Sequence, residues 1–184
     1  MKTISFLAFL LAISNFAFSQ TTESNPSFQR NELKLNLPMT IFASYPEISY
    51  ERLLNSDISV GASLGLRVSD GQEYPLKFSL MPHFRWFFGG SYSSLQKVAA
   101  GFFIELNSGL FTRDDLGGSY YDQSSGYTEY RKDTKFGAGF GLAVGWKYVS
   151  TNNWIGEIYL GGGRDFANSD EGYSRFGISI GKRF

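Results

Sequence analysis

The sequence predicts an all-β fold, an eight-stranded antiparallel up-and-down transmembrane β-barrel, and three observations lead there. Large apolar residues alternate with small or polar ones, at period two, over eight segments. The chain is aromatic- and glycine-rich, 17% aromatic with 21 Gly, but only 18% charged, which suits a β-protein with one face in an apolar solvent. The connections between segments alternate between short and long.

Composition sets the outer bounds. At 184 residues the chain has room for one domain. Lys+Arg is 17 and Asp+Glu is 17, so there is no basic excess to neutralise phosphates and nucleic acid is not an expected partner. Cysteine is absent, which excludes disulfides, thiolate zinc sites, a cysteine nucleophile and N-terminal lipoprotein attachment. The single histidine, His83, excludes multi-histidine metal sites, and no cofactor is expected.

Met1-Lys2 is a short positive region, 3–18 is mostly apolar, and Ala17-Phe18-Ser19 is a small-x-small cleavage site. Residues 1–19 therefore read as a secretory signal peptide, too short for a membrane span and with no stop-transfer pattern behind it. Cleavage removes Lys2 and no acid, so the mature charge is 16 − 17 = −1. Residues 20–30 are polar, carry Pro26 and read as a flexible periplasmic leader, leaving 31–184 for the barrel.

The first strand, 31–37, alternates Leu33, Leu35 and Leu37 with Lys34 and Asn36. The second, 47–53, alternates Ile48 and Tyr50 with Glu47, Ser49 and Glu51. In 58–68, Val60, Leu64 and Leu66 oppose Ser59, Gly61, Ser63 and Arg67. In 76–88, Leu76, Phe78, Leu80, Phe84, Trp86 and Phe88 oppose Lys77, Ser79, His83 and Arg85. In 98–110, Val98, Ala100, Phe102, Ile104, Leu106 and Leu110 oppose Gly101, Glu105, Asn107 and Gly109. The clearest strand is 136–148, where Phe136, Phe140, Leu142, Val144, Trp146 and Tyr148 share one parity with Ala138, and glycines and Lys147 dominate the other. Its Gly-x-Gly-x-Gly run lies inside a strand, not after one, which argues against a nucleotide loop. Trp154, Ile158 and Leu160 oppose Glu157 and Tyr159 in 154–163, and Phe176, Ile178, Ile180 and Phe184 oppose Arg175, Ser179 and Arg183 in 174–184. No amphipathic helix is visible after the signal.

Alternation alone does not separate a soluble, lipocalin-like barrel from a transmembrane one. Three features favour the membrane. The non-apolar parity is rich in Gly, Ala and Ser, which fit a narrow eight-strand interior, where a soluble barrel's exterior carries abundant Lys and Glu. Most strands run 9–13 residues, enough to cross a bilayer core when tilted. With both termini periplasmic, the periplasmic turns are 54–57, 89–96 and 150–153, and the external loops are 38–46, 69–75, 112–134 and 165–173, short inside and longer outside except that the 89–96 turn is longer than ideal. This topology, built without them, places Trp86, Trp146, Trp154 and Phe184 together as a periplasmic aromatic belt. Pro82 argues back, and predicts a bulge or a lost ladder bond in the fourth strand.

Asn31-Glu32-Leu33-Lys34-Leu35-Asn36, Ile48-Ser49-Tyr50-Glu51-Arg52 and the terminal Gly181-Lys182-Arg183-Phe184 resemble small eight-stranded outer-membrane barrel proteins of Gram-negative bacteria, specifically an uncharacterised family of that superfamily. The resemblance spans 31–184 and speaks to architecture, not activity. It implies the outer membrane as location and its lipid as a partner. The final strand ending at Phe184 resembles the signal read by the barrel-insertion machinery, although Lys182 departs from that pattern and is expected to snorkel.

The interior parity carries Lys34, Arg67, Lys77, Arg85, Lys147 and Arg175 against Glu47, Glu51, Glu105 and Glu157. Confined charges must pair, so a lumen network of Lys34, Glu51, Arg85, Glu105, Lys147 and Glu157 is expected, with Arg85 or Lys147 as the partner of Glu105. An enzyme is not expected: the rim offers Asp114, Asp115, Asp165, Asp170 and Glu171 but no histidine. The 112–134 loop holds Tyr120, Tyr121, Tyr127 and Tyr130 among Gly, Ser and Asp, a candidate surface for an extracellular protein or glycan, or else a β-ribbon prolonging the strands. The expected function is an outer-membrane barrel with a filled, non-conducting lumen and a structural or interaction role. A small porin is the alternative, disfavoured because eight strands leave no water-filled channel, and an outer-membrane enzyme is the third reading.

Overall fold

The computed structural model describes residues 29–69, 74–88, 97–122, 127–168 and 171–184, and for 115–122 and 127–133 the backbone alone. The signal peptide, the leader up to residue 28 and the expected turn at 89–96 lie outside the described residues.

Eight strands follow in chain order: β1 (Asn31–Asn36), β2 (Glu47–Leu53), β3 (Ile58–Leu66), β4 (Leu76–Phe88), β5 (Gly101–Asp122), β6 (Tyr127–Val149), β7 (Trp154–Asp165) and β8 (Gly172–Arg183). Each pairs antiparallel with the next, and β8 pairs with β1, so the sheet closes into an up-and-down barrel with no edge strand. Reciprocal backbone bonds between Asn31 and Phe184, at 3.0 and 2.8 Å, latch the seam beside the termini.

Alternation decides which way each side chain faces, because successive Cβ atoms point to opposite faces of a strand. Leu33, Ile48, Leu64, Phe84, Ile104, Leu142, Ile158 and Ile178 all face outward, and Leu160 is 67% exposed. Lys34, Glu51, Arg85, Glu105, Lys147 and Arg175 face inward and are at most 2% exposed. The polarity of a soluble protein is thus inverted.

Three local departures from the sequence expectation have physical causes. Residues 37–41 form a one-turn helix, α1 (Leu37–Ile41), where the last residue of the first strand and the start of a loop are expected. Pro38 sits in its first turn, and the Thr40 hydroxyl donates to the Asn36 carbonyl at 2.6 Å. The fifth strand starts at Gly101, not at 98, because Ala99 (φ 49°) and Gly101 (φ 95°) turn the chain. Ala99 and Ala100 are consequently buried where the alternation has Ala100 facing outward. A register shift between Leu76 and Phe78 turns Leu76 inward, to 8% exposure, against its expected outward parity. At Pro82 the second of the two expected outcomes is seen: there is no bulge, and β4 keeps Ala62 opposite it on β3, but pairing to β5 lapses between Leu80 and His83 with the register unchanged. Of the two forms expected for 112–134 the backbone takes largely the ribbon, with pairing from Thr112↔Phe136 out to Asp122↔Tyr127.

Candidate functional site

The interior is organised around paired charges. Because inward residues of all eight strands converge on one axis, side chains far apart in sequence meet. Glu51 on β2 accepts from Lys147 at 2.7 Å and from Arg85 at 2.8 Å, and is also bonded by Lys34. Glu157 on β7 accepts from Lys34 at 2.8 Å and Arg85 at 2.9 Å. Glu105 on β5 accepts from Arg85 Nε at 2.8 Å and from Arg175 Nε at 2.9 Å. Toward the termini the chain of contacts continues through Glu32, bonded by Lys147 at 2.8 Å and Arg183 at 2.6 Å. Toward the other end Arg175 passes to Glu47 at 2.6 Å. In this central column Glu32, Glu47, Glu51, Glu105 and Glu157 thus face Lys34, Arg85, Lys147, Arg175 and Arg183, five carboxylates against five cations, while a further buried acid, Asp165, lies apart from it and pairs with Arg113.

Aromatic rings flank the cations. The Arg85 guanidinium lies 4.5 Å from the Phe103 ring, Lys147 Nζ 4.6 Å from Phe87 and Arg175 4.7 Å from Tyr159. His83 is buried, with Nδ1 3.3 Å from the Met81 carbonyl. It sits opposite Gly61 on β3, where a Cβ would come within 2.7 Å of His83 Nε2, so the glycine makes room for the ring.

Apolar clusters lie above and below this column. Away from the termini, Met39 of α1 packs with Tyr45, Leu76, Met81, Phe111 and Tyr173. At the terminal end Ala100 packs with Val149 and Ile155. There Arg183 donates to the carbonyl of Val98 at 2.8 Å, tying the inturned 98–100 segment to β8.

All six expected network residues point inward and are ion-paired, but the pairing differs in one respect. Lys147 does not reach Glu105; Arg175 takes that place beside Arg85. Arg67 and Lys77 lie at the rim, where both pair with Asp114, at 2.6 and 2.7 Å. The Lys77 hydrogen bond, with Arg67 alongside, holds the Asp114 carboxyl below its ordinary value. Arg113 clamps the β7–β8 connection through Asp165, at 2.9 Å, and Glu171. Glu32 and Arg183 fall outside the expected network, although their parity with Lys34 and Arg175 marks both as inward. Trp86, Trp146, Trp154 and Phe184 face outward at the end that carries the termini. Tyr120, Tyr121, Tyr127 and Tyr130 fall on the outer β5–β6 ribbon, where the backbone alone is described.

A closed, all-antiparallel, eight-stranded barrel with neighbour-to-neighbour connectivity belongs to the class of up-and-down barrels. The N-terminal β-barrel domain of Pseudomonas aeruginosa OprF, known from a crystal structure, is similar at a TM-score of 0.53 and 15% identity, covering 85% of this chain and 98% of that one. That likeness is one of fold. No family model matches the chain, and no curated protein matches it.

Proposed function

We propose that this chain is a Gram-negative outer-membrane barrel protein, exported through a cleaved signal peptide, whose lumen is filled and does not conduct. It acts structurally or by interaction through its external loops. The carrying observation is the inverted polarity: large apolar residues outward on every strand, paired charges inward. An outward apolar wall on a closed barrel is costly in water and favourable in lipid.

Both termini are periplasmic in this reading, with Trp86, Trp146, Trp154 and Phe184 at the inner interface. The final strand engages the barrel-insertion machinery. At the other end the β5–β6 ribbon carries the chain about 34 Å past Thr112, at roughly 3.4 Å per residue over Thr112–Asp122. Its tyrosines among Gly, Ser and Asp suit an extracellular protein or glycan. No catalytic or cofactor role is assigned. The pairing of buried charge supports a plugged interior, since each of the ten ions of the central column has a counterion and the buried Asp165 has Arg113.

Planar-bilayer recording tests the reading. The folded chain is expected to insert without stepwise currents. Stable ohmic steps from purified barrel would refute the filled lumen and favour the small porin.

A further inference from the structure

Along β7 the outward positions run Trp154, Gly156, Ile158 and Leu160, so one glycine interrupts a row of large side chains. Gly156 lies between Tyr148 on β6 and Ile180 on β8 in the pairing register. A Cβ placed on it would meet no atom within 4 Å. The gap opens into a groove of about 590 Å³ in the outer wall, bounded by Trp146, Tyr148, Trp154, Ile178 and Ile180. Trp146 and Tyr148 stack at 6.2 Å and 17°, forming one flat side. Glu157 contributes to the floor, but its carboxylate turns inward to Lys34 and Arg85. Lys182 is paired with Trp154 in the register, faces outward, and holds its ammonium 5.3 Å from the Trp154 ring. Among the described residues no carboxylate pairs with it.

We propose that this groove is a phospholipid site, in which one acyl chain lies over Gly156 and Lys182 takes the phosphate of an anionic headgroup. The inference rests on the reading that the outer wall faces lipid. The groove is an open trough in the wall, the shape taken by an acyl chain lying along the surface and not by a ligand enclosed in a cavity. Its lining is apolar where an acyl chain needs it, and the charge that faces outward beside it is a cation. The four-carbon stem of Lys182 lets that charge reach headgroup level while Trp154 sits at the interface. A headgroup of negative charge is therefore favoured over a zwitterionic one.

Native mass spectrometry of the full mature barrel in non-ionic detergent tests the site, with phosphatidylglycerol and phosphatidylcholine of identical acyl chains as probes. Wild type is expected to retain one phosphatidylglycerol per barrel, preferred by about fivefold, the equivalent of one lysine at a membrane surface. Gly156→Leu fills the groove and should abolish retention. Its backbone is ordinary strand and its Cβ has open space, so the variant is expected to fold. Lys182→Gln should still bind a chain but lose the preference. Quenching of tryptophan fluorescence by brominated lipid in vesicles separates the two levels of the argument. Unquenched wild-type tryptophans would sink the membrane reading itself. Quenched tryptophans with equal phosphatidylglycerol retention by wild type and Gly156→Leu would overturn the lipid site alone. A lipid-free dimer lost in Gly156→Leu would overturn it too, assigning the groove to a second copy of the chain.

Discussion

Replacing Glu105 with alanine probes the interior most directly. Glu105 is fully buried, ion-paired with Arg85 Nη2 at 2.7 Å, and accepts from Arg85 Nε at 2.8 Å, from Arg175 at 2.9 Å and from Asn107 at 3.2 Å. Removing one member of a buried ion pair costs about 3–5 kcal/mol, chiefly because the partner is left buried and uncompensated. Here each cation keeps another acid: Arg85 retains Glu51 and Glu157, and Arg175 retains Glu47. The lower end, about 3 kcal/mol, is therefore expected, with the central column left at four carboxylates against five cations. With an m-value of about 3 kcal/mol per molar urea, the midpoint should fall by about 1 M. The assay is urea titration of vesicle-embedded barrel, followed through the emission of the outward-facing tryptophans. Lys77→Ala is the control, because it breaks a pair with Asp114 whose lysine side chain is 38% exposed. That loss should be at most about 1 kcal/mol, or about 0.3 M. Coincident midpoints for Glu105→Ala and wild type would mean that Glu105 is hydrated, and the argument from buried counterions would fail.

The folded barrel is expected to resist SDS until boiled, because a closed sheet has no edge strand from which to fray; identical mobility before and after boiling would count against closure. Protease added to intact cells should cut within 112–134 and spare 150–153, and the reverse pattern would invert the topology. Gly177→Val should reduce the folded fraction seen in unboiled samples, since its Cβ would sit 2.5 Å from both Asn36 Nδ2 and the Tyr159 hydroxyl. Overpacking of this kind costs about 1–3 kcal/mol. Ile178→Val, one residue on but facing outward, is the comparison, and equal folded yields for the two would refute the inward packing.

Alternation along each strand is legible in the sequence because it is local: parity fixes which residues share a face without reference to any other strand, and the small residues of one parity mark it as the inward one. That is why the inward placement of Lys34, Arg85 and Glu157 and the outward placement of Leu142, Trp146 and Ile178 follow from the sequence alone. Glu32 and Arg183 are equally legible by parity. Where the local pattern breaks, sequence reasoning fails with it. The five residues of α1 are too few to show a helical period, and the inturned 98–100 segment depends on positive φ angles that alternation does not encode. Leu76 changes face because of a register shift, which belongs to the pairing of two strands and not to either one. Pro82 removes a donor, but whether the strand bends or merely loses part of a ladder is decided by the neighbours that hold it straight. The choice of charge partners lies furthest from the sequence. Arg175 meets Glu105 across a separation of 70 residues, and Lys34 meets Glu157 across 123. Such pairs exist only once closure brings inward faces of non-adjacent strands to a common axis. Parity determines which charges share the interior, and the stagger of the closed barrel determines which of them touch.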